Sequence, residues 1–139
     1  MGQIVVGYDG SACGDAALDA ALGISGELGD SVTVVFGYAP PGLWGGEIVE
    51  HEEAIEELGE KVMASARARA AEQGVEIEAQ LVAKRAAEAL IEAADQRDAR
   101  MIVVGSFGDP PLKGMILGST PNKLLHLSDR PILVVPAKP

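Results

Sequence analysis

QIVVGYDGSACGDAALDAALGISGEL, Gln3 to Leu28, decides the fold. Gln3 to Tyr8 is a short, apolar, β-branched run, which predicts a buried strand. Asp9-Gly10-Ser11 is a turn, with Ser11 placed to cap a helix. Ala12 to Leu28 then reads as that helix, with Cys13, Ala16, Ala17, Ala20, Ala21, Ile24 and Leu28 predicted on its buried face, and Gly29-Asp30 ends it. A strand, a tight turn and a helix form half of a parallel crossover unit, and the rest of the chain repeats the pattern.

Ser31 to Tyr38 (SVTVVFGY) is the second strand, and Ala39 to Gly46 (APPGLWGG) is a loop. From Glu47 the spacing of Ile48, His51, Ile55, Leu58, Val62, Ala66 and Ala70 predicts a long amphipathic helix closed by Gly74. Val75 to Val82 alternates apolar with polar residues, as a half-exposed strand does. Ala86 to Arg97 is a third helix, Met101 to Val104 a strand, Gly105 to Leu117 a glycine- and proline-rich loop, Thr120 to Leu127 a short helix and Ile132 to Val135 the last strand. Strands separated by helices must run parallel, with right-handed crossovers. The continuous runs IVV, VVF, IVV and ILVV suit a sheet covered on both faces, and the alternating third strand suits an edge. The expectation is an α/β protein with one Rossmann-like open sheet of five parallel strands sandwiched by helices, in the order 3-2-1-4-5.

Length and composition agree. The 139 residues suffice for one domain, spanning 1–139, with a real apolar core. One cysteine and two histidines leave no disulfide framework and little material for a zinc centre. A net charge of −10 repels nucleic-acid backbones, so a nucleic-acid partner is not expected. Seven glutamates between Glu47 and Glu60, with no Lys or Arg among them, read as a solvated helix face. With no long apolar stretch and no basic leader after Met1, the expectation is a cytoplasmic protein without a membrane partner.

Ligands of open parallel sheets bind beyond the carboxyl ends of the strands, where the strand order reverses. The first strand ends in Tyr8-Asp9-Gly10-Ser11 and the fourth in Gly105-Ser106-Phe107-Gly108. If these strands are neighbours, both ends face one crevice. Nine residues separate Gly108 from Gly118-Ser119-Thr120-Pro121. With Thr120 as helix cap and Pro121 first in the helix, the amides of Asn122 and Lys123 are left without acceptors near a positive helix end. Backbone amides exposed by glycines, with the hydroxyls of Ser119 and Thr120, can cradle a phosphate; the same glycines can also be plain turns.

These residues resemble the universal stress proteins (the UspA family), in particular the nucleotide-binding branch, whose motif is Gly, two residues, Gly, nine residues, then Gly and Ser or Thr. Gly105, Gly108, Gly118 and Ser119 match that spacing in full; IVVGYDGS, LKGMILGS, KLLH and RPILVV are also similar to the family. The resemblance runs from Ile4 to Val135 and implies a stress-response sensor or regulator of the adenine nucleotide alpha hydrolase-like fold. It implies ATP or another adenine nucleotide, with Mg²⁺, held by Gly7, Tyr8, Asp9, Gly37, Val104, Gly105, Phe107, Gly108, Gly118, Ser119 and Thr120. Asp9 would meet the ribose or help to place the metal, Tyr8 would lie near the base and main chain at Gly37 would border it. The chain departs from the family where Phe107 replaces an arginine, Asp109 a basic or small residue and Gly37 a valine. Pro110-Pro111 and Lys84-Arg85-Ala86 are further departures.

Other readings compete. A phosphorylation receiver needs an acidic cluster after the first strand, a phospho-acceptor Asp after the third and a Lys near the last; here Asp9 stands alone, the third strand ends in Val82-Ala83, and no Lys follows Ile132 to Val135 before Pro136. An adenylating enzyme needs a Ser-Gly-Gly loop or a His-x-Gly-His motif, also missing. A dimeric scaffold of the same fold that binds no nucleotide is the alternative. No catalytic pair can be placed, so hydrolysis is slow at most. Lys113 and Lys123 can reach phosphate or stay in solvent, Cys13 and His126 read as packing or surface residues, and Leu43 and Trp44 read as either a lid or a partner contact. The last strand (Ile132, Leu133, Val134, Val135), bracketed by Pro131 and Pro136, is expected at an edge and available for a two-fold homodimer.

Overall fold

The four apolar runs and the alternating segment between them become five parallel strands in the order β3-β2-β1-β4-β5, as the sequence predicts. The computed structural model describes residues 2–38, 48–106 and 118–137, with the backbone alone for 48–53. The elements are β1 (Gln3–Gly7), α1 (Ala12–Leu28), β2 (Ser31–Gly37), α2 (Ile48–Glu72), β3 (Ile77–Val82), α3 (Ala86–Arg97), β4 (Met101–Gly105), α4 (Ser119–Leu127) and β5 (Ile132–Val135). The chain first winds outward from β1 through β2 to β3. It then returns across the sheet to β4 and continues to β5. Right-handed crossovers in opposite directions put α1 and α2 on one face and α3 and α4 on the other.

Side chains alternate between the faces. Ile4, Val6, Val32, Val34 and Val103 pack against Leu18, Leu22, Val62 and Met63 of α1 and α2. Val5, Val35, Ile102 and Val104 pack against Leu90, Ala94 and Leu124 of α3 and α4. A sheet buried on both sides explains why its central strands read as unbroken apolar runs.

Two predicted helix faces are correct only in part. In α1 the buried stripe is Gly14, Ala17, Leu18, Ala21, Leu22 and Ser25, while Leu28 is exposed. Ala17 and Ala21 are buried as predicted, and burying Leu18 and Leu22 beside them removes more apolar surface than burying Ala16 and Ala20 would. In α2, Val62, Ala66 and Ala70 are buried as predicted, but Leu58 is exposed and Gly59 is buried beside it, packed so closely on β3 that a Cβ there would fall 2.2 Å from a Leu81 methyl. Ser11 caps α1 as expected, its hydroxyl accepting from Gly14 N–H at 3.1 Å, and Gly29 ends the helix in the left-handed region at φ 72°.

The amino ends of the strands are tied together. Asp30, just before β2, accepts from Gly2 N–H at 2.8 Å and from Arg100 Nε at 2.6 Å. The Arg100 N–H donates to the Gln3 carbonyl at 2.7 Å, and Ser31 N–H to the Gly2 carbonyl at 3.1 Å.

Candidate functional site

The carboxyl ends are built differently. β1, β2 and β4 each stop on a glycine, Gly7, Gly37 and Gly105. A Cβ on Gly105 would lie 2.6 Å from Cys13 Cβ and 2.7 Å from its carbonyl carbon, so the first turn of α1 rests directly on the end of β4. A Cβ on Gly37 would lie 2.8 Å from the Lys84 carbonyl oxygen and 2.9 Å from Ala86 Cα, so the start of α3 closes on β2. These glycines allow main chain to approach main chain around an opening of about 190 Å³ over the point where strand order reverses.

Nine predicted site residues line that crevice: Gly7, Tyr8, Asp9, Gly37, Val104, Gly105, Gly118, Ser119 and Thr120. Phe107 and Gly108 lie outside the described residues, as do Leu43, Trp44, Asp109 and Lys113. Gly14, Val35, Phe36, Ala86, Leu90 and Pro121 complete the lining and were not predicted. Toward β2 and α3 the wall is apolar, through Val35, Ala86 and Leu90. Toward β4 and α4 it is polar.

The polar end corrects one expectation. α4 begins at Ser119 with Gly118 as its N-cap, so Thr120 is the second helical residue and Pro121 the third. Four N–H groups at a helix start have no intrahelical acceptor. Here Gly118 N–H donates to the Ser106 carbonyl at 2.6 Å, Pro121 has none, and the first helical bond runs from Asn122 N–H to the Gly118 carbonyl at 3.3 Å. Among the described residues the amides left over are therefore those of Ser119 and Thr120, not Asn122 and Lys123. Both belong to residues lining the crevice, at the positive end of the helix dipole.

Asp9 is exposed, and its Oδ1 accepts from the Ser11 amide at 2.9 Å and the Ser11 hydroxyl at 2.6 Å. This side-chain turn fixes the carboxylate at the crevice while α1 is being capped. Tyr8 borders the crevice, but its ring lies in the α1/α2 core layer and its hydroxyl donates to Asp15 at 2.6 Å. Burial, then that bond to Asp15, pushes the phenol well above the ordinary tyrosine range. Beyond it Arg69 of α2 grips Asp19 of α1, with Nε at 2.7 Å and a terminal nitrogen at 2.8 Å, which holds the Asp19 carboxyl below its usual range. Cys13 Sγ sits 3.8 Å from Ser106 Oγ. Lys123 and His126 are exposed on α4 and do not line the opening. Among the described residues no group of three or more His, Cys, Asp or Glu side chains could hold a metal ion, and no helix is long and apolar enough to cross a membrane.

An open α/β sheet of order 3-2-1-4-5, with an apolar-to-polar crevice over its reversal point, defines a class of small parallel-sheet proteins that bind ligands at their carboxyl edge. The universal stress protein family model matches residues 1–136, and the chain belongs to that family. It is similar to the universal stress protein YxiE of Bacillus subtilis, 30% identical with 96% of this chain and 97% of that protein covered. A crystal structure of a universal stress protein in complex with cAMP is 26% identical, with a TM-score of 0.74 over 99% of this chain and 98% of that one. A family member from Burkholderia pseudomallei is 29% identical, with a TM-score of 0.78 over 98% of this chain and 96% of that one.

Proposed function

We propose that this chain binds an adenine nucleotide in the crevice and acts as a stress-response regulator whose state follows nucleotide occupancy. The carrying observation is the pairing of an apolar wall with two backbone amides freed at the start of α4, at the positions of the full glycine spacing. The base would lie toward Val35, Ala86 and Leu90, beside the main chain of Gly37. Asp9 would accept from ribose hydroxyls, and the Ser119 and Thr120 amides would meet phosphate. Phe107 and Gly108 remain part of the proposed site on the strength of the motif. The similar protein solved with cAMP supports an adenine ligand. Among the described lining residues a Mg²⁺ ion would find one carboxylate, Asp9, with the phosphates supplying further ligands. No group among the described lining residues other than Asp9 could activate water, and Asp9 is assigned to the ribose, which suits a cytoplasmic sensor better than an ATPase. Mass spectrometry of small molecules released on denaturing the purified protein, with calorimetry on the emptied chain, tests this. Absence of any adenine-nucleotide binding leaves the dimeric scaffold as the function.

The proposal includes a homodimer through β5. All four of its residues are half-buried at the sheet edge. Ile102 N–H donates to the Pro131 carbonyl and Ser106 N–H to the Val135 carbonyl, so the odd-numbered residues face β4. Ile132 and Val134 therefore direct their N–H and C=O groups outward, where a second copy can pair with them. Val134→Pro removes an outward donor and leaves the inward ladder intact. Light scattering should show the dimer weakened by about tenfold or more with the circular dichroism unchanged, since each lost ladder bond and its misfit cost on the order of 1–2 kcal/mol. A parent that is monomeric at micromolar concentration refutes this assembly.

A further inference from the structure

The two edges of the sheet are guarded differently. β5 has four apolar residues set between Pro131 and Pro136. β3 has six residues, with no proline within it or beside it. Tyr38 N–H donates to the Val82 carbonyl at 3.1 Å, so the even-numbered residues of β3 face β2. Ile77, Ala79 and Leu81 therefore direct their N–H and C=O groups away from the sheet, and among the described residues nothing bonds to them there. Their side chains pack on the α1/α2 layer, which leaves a row of main-chain groups as the edge itself. None of these residues lines the crevice over β1 and β4.

Charge guards β3 where prolines guard β5. Glu76 and Glu78 are exposed along the strand. Beside its carboxyl end lies a groove of about 820 Å³, lined by Tyr38, Glu56, Glu57, Glu60, Lys61 and Leu81. The nearby bases are Lys61, Arg67 two turns along α2 from Glu60, and Arg97, which is engaged by Glu78 at 3.3 Å. The five glutamates outnumber them, and the whole chain carries −10. A second copy would bring the same acids and the same net charge to the edge, so like charge opposes self-pairing. The same acids attract a strand of opposite sign. From this edge we infer that β3 is a docking site for an extended segment of a partner protein rich in lysine or arginine, which adds to the sheet beside β3. The main-chain groups of Ile77, Ala79 and Leu81 hold the segment, and the glutamates select its charge.

The probe is a short synthetic peptide alternating lysine with valine, added to the full chain at low salt. Its affinity is read by fluorescence anisotropy and its position by hydrogen exchange of single amides. The lysine peptide should bind, and at saturation the Ile77, Ala79 and Leu81 amides should exchange about tenfold more slowly or less, while those of Glu78, Gln80 and Val82, already bonded to β2, should not change. Ala79→Pro removes one outward donor and spares the inward ladder, so affinity should fall by about tenfold with the circular dichroism unchanged. The same peptide N-methylated on alternate residues loses its own donors and should weaken equally, which tests strand pairing without altering the protein. Glu56→Gln combined with Glu60→Gln should cost about threefold or more at low salt, and added salt should erase the difference. Four results each overturn the docking site: no binding of the lysine peptide, equal binding of its glutamate counterpart, exchange at the edge left unslowed, or affinity indifferent to both Ala79→Pro and N-methylation. A molecular mass of the free chain that falls in Ala79→Pro would assign the edge to a second copy and overturn the basic partner.

Discussion

The two ends of the same sheet treat their polar groups in opposite ways. At the amino ends of β1, β2 and β4, Asp30 bridges Gly2 and Arg100, and neighbouring main-chain groups bond to one another. At the carboxyl ends three strands stop on glycine, two amides of α4 keep no described partner, and an exposed carboxylate is held over the opening. One end closes on itself and carries stability. The other is held open by close main-chain packing, which requires the absence of side chains. Changes at the open end should therefore divide into those that abolish binding and those that unseat the frame, while changes at the closed end should show in stability alone.

The largest effect is expected at Gly118. It is buried at the N-cap of α4 with φ −68° and ψ 172°, a conformation any residue adopts. Gly118→Val should fold normally yet place a branched side chain where phosphate approaches the amides. Calorimetry should register no nucleotide binding. Retained affinity would mean that α4 does not hold the ligand.

Gly105→Ala should act on the frame. Its new methyl would meet Cys13 main chain, a carbonyl carbon at 2.7 Å and an oxygen at 2.8 Å, and neither can swing aside as a side-chain tip can. A loss of about 1–3 kcal/mol in urea denaturation is expected. A neutral result would show that α1 does not press on β4, and the division between frame and binding glycines would fall.

This is also where sequence legibility stops. Strand order and the crevice over the carboxyl ends of β1 and β4 are readable because both follow from period and connectivity. The double role of Gly105 was not, since its need for close packing comes from Cys13, 92 positions away (105 minus 13). The start of α4 was misread for a similar reason. Threonine and glycine cap about equally well, and a proline directly after Thr120 points to Thr120 as the cap, but the Ser106 carbonyl accepts from Gly118 N–H and the helix starts earlier. Gly14, Ala86 and Leu90 escaped notice because small and aliphatic residues on helices carry no chemical signature. The helix faces slipped because alanine-rich stretches give a flat periodicity that Leu18, Leu22 and Met63 resolve by packing.

Asp30 tests the closed end through pH. Arg100 foremost, opposed by burial and aided by the Gly2 N–H, holds its carboxyl below the ordinary aspartate range. A folded pKa below the unfolded one gives stability that is complete above the unfolded value and fades as pH falls toward the folded one. The advantage of the parent over Asp30→Asn should thus be full near neutrality and shrink from roughly pH 5 downward. Thermal melts across that range will show it. A difference that does not depend on pH would mean that the ionised carboxylate contributes nothing particular. Nucleotide affinity measured at neutral pH should be the same in both proteins.

Tyr8→Phe should have the smallest effect and probes the border between the two regimes. The ring is core, only 5% exposed, and phenylalanine keeps it. What is lost is the hydroxyl's bond to Asp15, whose side chain retains 32% exposure and can turn to water. With the acceptor rehydrated, the cost should be about 0.5 kcal/mol, the low end for a hydrogen bond, because no buried group is stranded. Asp15 also stays within reach of Arg69, with a terminal nitrogen at 3.8 Å in the parent, so the link between α1 and α2 should survive. Nucleotide affinity should not change, since a hydroxyl committed to Asp15 has no proton to offer a ligand. If affinity falls by about tenfold instead, the equivalent of a full hydrogen bond, the phenol must leave Asp15 to meet the nucleotide. Tyr8 would then belong to the open end of the sheet, and ligand binding would be coupled to the α1–α2 contact through the bond it gives up.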